Sequence, residues 1–326
     1  MQYRKLGRTG IEVSELSFGT WAIGGSWGKT DDTESLKALN RAMDAGVNFF
    51  DTADVYGDGH AEQLLAQATK GRNDIYIASK FCRGGDIHDR ATYSEDRVRM
   101  YCENSLRRLG RDSIDLYQIH CPPSWVIEEG EVFETLDTLQ QEGKIRAYGV
   151  SVETVDEGLK ALEYPGVQAL QVIFNIFRQK PLFDLFPKAE AAHVGILARV
   201  PLASGLLTGK FTAAQKFEAD DHRNFNADGQ QFNVGETFAG LPFQVGVELA
   251  SELVWIQEGR GNMARAALRY ILDQPAVTCA IPGFKSTKQV EDNLGAIEVP
   301  SYTKSELAKL SEFYQTQVHH QIRGVY

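Results

Sequence analysis

Val47-Asn48-Phe49-Phe50-Asp51, continued by Thr52-Ala53-Asp54-Val55-Tyr56-Gly57, is the stretch on which the reading turns. A short, largely apolar run that ends on a lone carboxylate has the pattern of a strand buried on both faces, emerging where its sheet ends. Immediately upstream, Leu36, Leu39, Ala42 and Met43 recur at helical spacing within Thr33–Ala45, and Gly46 supplies the stop. A helix that feeds a doubly buried strand is half of a βαβ unit, the building block of parallel sheets.

Outward from this point the same unit recurs. Strands are expected at Leu16–Thr20, Val47–Asp51, Ile75–Lys80, Leu116–His120, Ala147–Ser151, Ala169–Phe174, Gly195–Val200 and Thr278–Pro282. Helical patterns separate or follow them at Ala61–Ala68, Ser94–Leu109, Glu128–Glu142, Val155–Leu162, Leu185–Ala192, Met263–Asp273 and Thr287–Ala296. Such alternation predicts a parallel sheet with right-handed crossovers. Eight units in about 300 residues fit a closed α/β fold, the (β/α)8 TIM barrel, better than an open doubly wound sheet. Three pieces lie outside the repeat: Tyr3–Val13, expected as a hairpin around Gly10 that plugs the barrel bottom; the long loop Leu207–Phe243 after the seventh strand; and a C-terminal helix with its tail over Lys304–Tyr326. A loop of that length suggests a lid over the catalytic face. With no linker or low-complexity segment, residues 1–326 read as one domain.

Composition narrows the function. Of 326 residues, 43% are hydrophobic and 24% charged, enough to build a large core. The net charge of −10 argues against a phosphodiester partner such as nucleic acid. Cys82, Cys102, Cys121 and Cys279 form no CxxC pair and no zinc spacing, so free thiols in a reducing compartment are expected. His319 and His320 are adjacent and diverge on a helix, which argues against a metal site. The beginning of the sequence lacks a signal-like apolar run, and no long uncharged apolar stretch occurs. The expectation is a cytoplasmic protein with no membrane partner; nothing in the sequence speaks to its oligomeric state.

Barrel enzymes place their chemistry where strands end. Asp51, Lys80 and His120 close the second, third and fourth expected strands, and Tyr56 follows Asp51 in its loop. Singly, each has a plain structural reading: a cap, an ion-pair partner, a packing histidine, a rim tyrosine. On adjacent strands they converge, and their types suit carbonyl reduction, which needs a hydride on carbon and a proton on oxygen. Tyr56 is the expected proton donor, with its pKa lowered by the Lys80 ammonium. Asp51 would hold Lys80, and His120 would hydrogen-bond the substrate oxygen. General acid catalysis of this kind contributes about 10²–10⁴ in rate.

At these residues the sequence resembles the aldo-keto reductase family. Gly46–Gly57 is similar to that family's Asp/Tyr signature, Ile77-Ala78-Ser79-Lys80 to its lysine strand, and Asp115-Leu116-Tyr117-Gln118-Ile119-His120 to its histidine strand. Gly143–Ser151 and Ile281-Pro282-Gly283 also match, and Leu6-Gly7-Arg8-Thr9-Gly10 resembles the stress-response, sugar-associated and potassium-channel beta-subunit branches. The resemblance implies NADP(H) lying across the barrel top without a Rossmann fold, and no GxGxxG follows the first strand. It assigns Ser151 and Gln171 to the nicotinamide carboxamide, with Asn175 just beyond, and places Arg199 and Leu202 along the cofactor. It assigns Gly283, Lys285, Ser286, Gln289 and Asn293 to the adenosine end, with Lys285 as the cation for a 2′-phosphate at a helix start; Ser286 is equally suited to an N-cap. Trp21 and Trp125 are expected to line the substrate pocket. Departures from the family pattern are Val152 where Asn is common, Arg199 where a tyrosine stacks on nicotinamide, Gln289 where some relatives have Arg, and Cys121 where Trp is frequent.

The function implied is an NADPH-dependent reductase of aldehydes, ketones or sugar-like carbonyls. The alternative is an NADP(H)-binding sensor or regulatory subunit with little turnover. A cofactor-free aldolase would instead need Lys80 as a Schiff-base nucleophile.

Overall fold

The computed structural model describes residues 1–25 and 30–326. Strands β1 (Tyr3–Lys5) and β2 (Glu12–Ser14) form an antiparallel hairpin. Eight parallel strands follow: β3 (Phe18–Gly19), β4 (Phe49–Asp51), β5 (Tyr76–Phe81), β6 (Leu116–His120), β7 (Tyr148–Ser151), β8 (Val167–Ile173), β9 (Gly195–Arg199) and β10 (Val277–Ala280). They pair in sequence order, and the sheet closes where Leu16 bridges Ala280 and Gly19 bridges Gly283. This is the α/β TIM barrel that the alternation of elements predicts.

The core has two parts, as expected when a closed sheet is wrapped by helices. Outside the barrel, apolar helix faces pack on outward strand residues such as Phe50, Ile77, Ile119, Val150, Leu170 and Ile196. Inside, Phe49, Ala78, Leu116, Ala147, Ala169, Leu197 and Cys279 form one layer, capped from below by Leu6, Ile11 and Val13 of the hairpin. The inner layer is largely small, so the hairpin's branched side chains fill the end of the tube. Arg4 ties the hairpin down by donating to the carbonyls of Leu272 and Val277, at 2.7 Å each.

Helices fall where periodicity predicts, with two differences. The stretch expected as one helix over Glu128–Glu142 is two, Ser124–Glu129 and Glu131–Gln141, broken at Gly130. The loop after β9 is built from short turns, including His222–Phe225, Val234–Glu236 and Phe238–Gly240, and leads into a helix, Phe243–Glu252, that sequence periodicity did not separate from it. Among the described residues, no helix is long and apolar enough to cross a membrane.

Three barrel strands end in an abrupt left-handed residue: Cys82 (φ 90°) after β5, Cys121 (φ 49°) after β6 and Val200 (φ 53°) after β9. Side chains with a Cβ seldom adopt this conformation, least of all β-branched ones. The chain thus turns away directly behind Phe81, His120 and Arg199.

The hairpin turn offers a test. Gly7 lies at φ +53°, and a Cβ there would stand 2.6 Å from both the Gln168 carbonyl and the Gly195 nitrogen. Gly7→Ala must therefore unseat the plug, at a cost of about 1–3 kcal/mol. The melting temperature should drop by several degrees while circular dichroism below the transition stays unchanged. An unaltered melting temperature would mean that the hairpin does not support the barrel.

Candidate active site

Strand pleating decides which side chains enter the barrel. Two residues beyond the small interior layer stand Asp51, Lys80, Gln118, Gln171 and Arg199, on β4, β5, β6, β8 and β9. Two residues further along β6, and one step further up the wall on β7, come His120 and Ser151, which are register partners. A period of two thus turns an apolar floor into a polar layer at the C-terminal end of the barrel.

Lys80 is completely buried. Its ammonium donates to Asp51 Oδ1 at 2.5 Å, to the Thr52 carbonyl at 2.8 Å and to the Tyr56 hydroxyl at 3.4 Å. The second Asp51 oxygen accepts from Gln171 at 2.8 Å and from Gln118 at 3.4 Å. Burial alone would drive Lys80 toward neutrality, but the Asp51 carboxylate and the Tyr56 oxygen outweigh it and raise its pKa. Lys80 is therefore an ammonium rather than a free amine, which argues against a Schiff-base nucleophile.

Tyr56 is held by the loop after β4. Asp54 N donates to the Lys80 carbonyl, stitching that loop to β5. The 3₁₀ turn Trp21–Gly24 presses on it from the other side; Gly57 sits at φ +63°, where a Cβ would come within 2.1 Å of the Gly24 carbonyl. This contact stacks Trp21 against Tyr56, with ring centroids 6.1 Å apart, and His120 meets the Tyr56 ring edge-on at 5.8 Å. The expectation of a lowered tyrosine pKa is reversed. Burial pushes the Tyr56 phenol up to about 12; Lys80 pulls it down, while Asp51 and Glu236 push it further up. At neutral pH the phenol keeps its proton.

His120 is held well below its ordinary pKa, first by burial and then by Arg83, Lys80 and Arg199, so its imidazole is neutral. Among the described residues its buried Nδ1 has no hydrogen-bond partner. In the neutral imidazole one ring nitrogen donates and the other accepts, and with the proton on Nε2 that nitrogen is the donor.

A cavity of about 690 Å³ opens over these residues, lined by Asp51, Tyr56, His120, Ser151, Gln171 and Arg199 from the barrel and by Phe232 and Glu236 from the loop after β9. Arg199 forms an ion pair with Glu236 and donates to the Val152 carbonyl at 2.9 Å. Arg83 donates to the His120 carbonyl at 3.1 Å and pairs with Glu153 at 3.0 Å, and Asn233 bonds the same carboxylate at 2.7 Å. Cys121 Sγ and oxygens of Glu153 and Glu236 lie within 4.8 Å of one another. The guanidiniums paired with both carboxylates make this an arginine-neutralising cluster, unsuited to a cation.

A sequence model of the aldo/keto reductase family matches residues 15–315. The chain belongs to the aldo/keto reductase family. The Aldo-keto reductase YhdN of Bacillus subtilis (strain 168) is 33% identical over 298 residues, covering 89% of this chain and 87% of that protein. A probable voltage-gated potassium channel subunit beta of Oryza sativa subsp. japonica is 29% identical, with 97% and 98% covered. Among solved structures, the glycerol dehydrogenase AKR11B4 from Gluconobacter oxydans superposes with a TM-score of 0.78 at 31% identity, covering 99% of this chain and 98% of that one. The holo form of aldo-keto reductase AKR11C1 from Bacillus halodurans gives 0.75 at 26%, covering 100% and 98%. This aldo/keto reductase is accordingly a carbonyl-reducing oxidoreductase of a family that uses a nicotinamide cofactor.

Other residues singled out in the reductase's sequence are distributed unequally. Leu202, Gly283, Lys285 and Gln289 line the same cavity, together with Lys210 and with Arg223, whose guanidinium is held by the Asp221 carboxylate at 2.9 and 2.5 Å. Burial lowers the Lys285 pKa, and Asp221 acts in the opposite sense. At the start of the helix Thr287–Leu294, Gln289 N donates to the Ser286 hydroxyl, and Lys285 N donates to the Gln289 side-chain oxygen at 2.6 Å. Ser286 is thus an N-cap, and Asn293 bonds the Gly283 carbonyl. Gln171, expected at a carboxamide, spends its amide on Asp51, and Asn175 bonds the Val200 carbonyl at 2.9 Å. Ser151 faces Cys121 Sγ at 3.4 Å.

Trp21 lines the cavity, where it also packs on His222 and Phe232 at 4.7 and 5.9 Å. Trp125 is a correction: it is not on the cavity wall but packs edge-on against Tyr93 and under Arg90, on the helix Ser124–Glu129. The left-handed turn at Cys121 and the two prolines behind it carry that helix away from the pocket. Sequence reasoning missed Arg83, Glu236 and Phe232. Arg83 could have been found as the cation three residues past Lys80; the loop residues carry no periodic signal.

Behind Tyr56, Asp54 is buried and its Oδ1 has no partner among the described residues. Burial and then the Glu62 carboxylate raise its pKa from 3.8 to about 7, against the pull of Arg108. The folded state therefore holds this proton more tightly than the unfolded chain. That contribution is complete below pH about 4 and is lost as pH rises toward 7, at up to about 4 kcal/mol. Asp54→Asn should gain on the unmodified protein in melting temperature at pH 8 relative to pH 4.5. A difference independent of pH would show that Asp54 is ionised throughout.

Proposed function

We propose that this chain is an NADP(H)-dependent carbonyl reductase with Tyr56 as general acid and Asp51, Lys80 and His120 in support. The observation that carries the reading is a half-buried phenol, its pKa pushed up so that it stays protonated at neutral pH, 3.4 Å from a buried ammonium, on the wall of a cavity that also carries Lys210, Arg223 and Lys285.

When bound, the reduced nicotinamide supplies the hydride that the carbonyl carbon accepts. Tyr56 transfers its hydroxyl proton to the carbonyl oxygen as charge develops there. Lys80 stabilises the phenolate left behind, and Asp51 fixes Lys80 in place while its second oxygen is held by Gln171 and Gln118. His120 directs Nε2–H toward the carbonyl oxygen and, being neutral, polarises it without a competing proton donor of low pKa. Trp21 and Phe232 offer apolar faces to the rest of the substrate. Lys285 and Arg223 are the cations that distinguish a 2′-phosphate from a hydroxyl, a charge-assisted contact worth roughly 1.5–3 kcal/mol.

Tyr56→Phe removes the transferable proton and should lower kcat by about 10²-fold or more, with cofactor affinity nearly unchanged. In the unmodified enzyme kcat for reduction should be flat through neutral pH, because the phenol titrates near 12. A Phe variant with normal kcat would remove Tyr56 from the chemistry.

Lys285→Ala should weaken NADPH binding by about 10-fold, the lower end of that range, because Arg223 remains and Gln289 carries no charge. NADH binding, followed by the same fluorescence titration, should hardly change. Equal weakening of both would place Lys285 on a group the two cofactors share, and a preference for NADH in the unmodified protein would refute the choice of NADP(H).

A further inference from the structure

Phe232, Asn233 and Glu236, which reach the cavity or its charged cluster, all lie on the loop segment 227–241. That segment is pinned by side chains just outside it: Asn226 Oδ1 accepts from Gln231 N and Phe232 N at 2.9 Å each, and the Ser204 hydroxyl accepts from Phe238 N and donates to the Glu236 carbonyl at 3.1 Å each. Its two ends are joined by a residue from far along the chain. Arg323 Nη2 donates to the Ala227 carbonyl at 2.9 Å and the Leu241 carbonyl at 3.2 Å; Nη1 donates to the Asp228 carboxylate at 2.5 Å, and Nε to the Gly240 carbonyl at 3.0 Å. The Arg323 backbone N–H donates to Gly240 as well. The tail is itself anchored beyond this point. The Tyr326 hydroxyl meets that of Tyr314 at 2.9 Å, and its ring lies 4.6 Å from the Arg178 guanidinium. Arg178 in turn reaches the carbonyls of Glu153 and Ala239.

We propose that Arg323 is a positioning residue for the substrate pocket, holding both ends of segment 227–241 so that Phe232 and Glu236 keep their places on the wall of the cavity that Tyr56 lines. The inference rests on the reading that the carbonyl is reduced beside Tyr56. A guanidinium is the one side chain whose rigid fork of donors can span four acceptors at two separated points of a loop. An ammonium at the same place can meet Asp228 but cannot also tie down carbonyls on both sides. The segment is built of short turns; Phe238, Ala239 and Leu241 are buried near its end, and bonds from Glu236 to Arg199, from Asn233 to Glu153 and from Arg178 to the Ala239 carbonyl hold it from the barrel side. Arg323 adds bonds at both ends of the segment at once, and so helps to set where Phe232 and Glu236 stand. Arg323 touches none of the reacting groups, so its loss should be felt when the substrate binds rather than when the proton moves.

The test compares Arg323→Ala and Arg323→Lys with the unmodified protein in two independent measurements. In hydrogen exchange, amides within 229–238 should exchange about 10-fold faster in the Ala variant, while those of the barrel strands keep their rates. In steady-state reduction of para-nitrobenzaldehyde with NADPH, KM should rise about 10-fold with kcat within about twofold, and the Lys variant should fall between the two. Unchanged exchange in 229–238 would overturn the proposal, as would acceleration spread over the barrel, a loss confined to kcat, or full recovery by Lys. If the unmodified protein reduces no carbonyl, the reading of its function fails by itself, and the exchange measurement still decides whether Arg323 clamps the loop.

Discussion

An ammonium cannot remain charged in a protein interior unless opposite charge and hydrogen-bond acceptors surround it. Lys80, with no exposure to solvent, imposes that condition on everything around it. Its three acceptors come from the loop that starts at Asp51, and the freed oxygen of Asp51 calls for donors in turn, which Gln118 and Gln171 supply from two further strands. One buried charge thus recruits side chains from β4, β5, β6 and β8. A second pair sits behind it: Glu62, wholly buried, is met by Arg108 at 2.5 Å and by the Ser79 hydroxyl at 2.6 Å. The barrel supplies the geometry, since parallel strands in sequential register bring these residues to adjacent positions of a common layer.

Above this layer the electrostatics change in character. Arg83 and Arg199 each carry a carboxylate partner, Glu153 and Glu236, and Arg178 lies close enough that Arg199 helps burial bring its pKa down to about 10. Glu236 belongs to the loop after β9, whereas Arg199 belongs to the barrel. Their pairing joins the loop after β9 to the barrel on the wall of the cavity. The same carboxylate adds to the upward shift of the Tyr56 pKa, so loop position and proton affinity are electrostatically coupled.

Much of this was legible from the chain. Doubly buried strands appear as short apolar runs, and a polar residue closing such a run stands out, which is why the sequence alone puts Asp51, Lys80 and His120 at strand ends. The barrel's alternation of elements was equally plain. Other features were hidden for specific reasons. A sequence shows that Lys80 neighbours Tyr56 but not how much water is lost, so the sense of the tyrosine shift came out reversed. Trp125 was misplaced because the direction of a chain after a strand depends on one dihedral angle, here at Cys121. Gln289 lines the cavity as read, but the sequence does not show that its side-chain oxygen also closes the turn before its own helix. Glu236 and Phe232 lie in a loop held by single side chains, Asn226 from nearby and Ser204 and Arg323 from far along the chain, whose pairings follow no period.

The hairpin that plugs the lower end gives the molecule a closed base and an open rim. Nothing that binds at the rim needs to pass through the base, and nothing that braces the base needs to meet a ligand. Bracing the fold and lining the cavity therefore fall on separate residues: Leu6, Ile11 and Val13 do the first, Phe232 and Glu236 the second. A lineage built on this plan can exchange its rim loops for new ones and keep the folded tube beneath them, which makes the architecture readily adaptable to unfamiliar substrates.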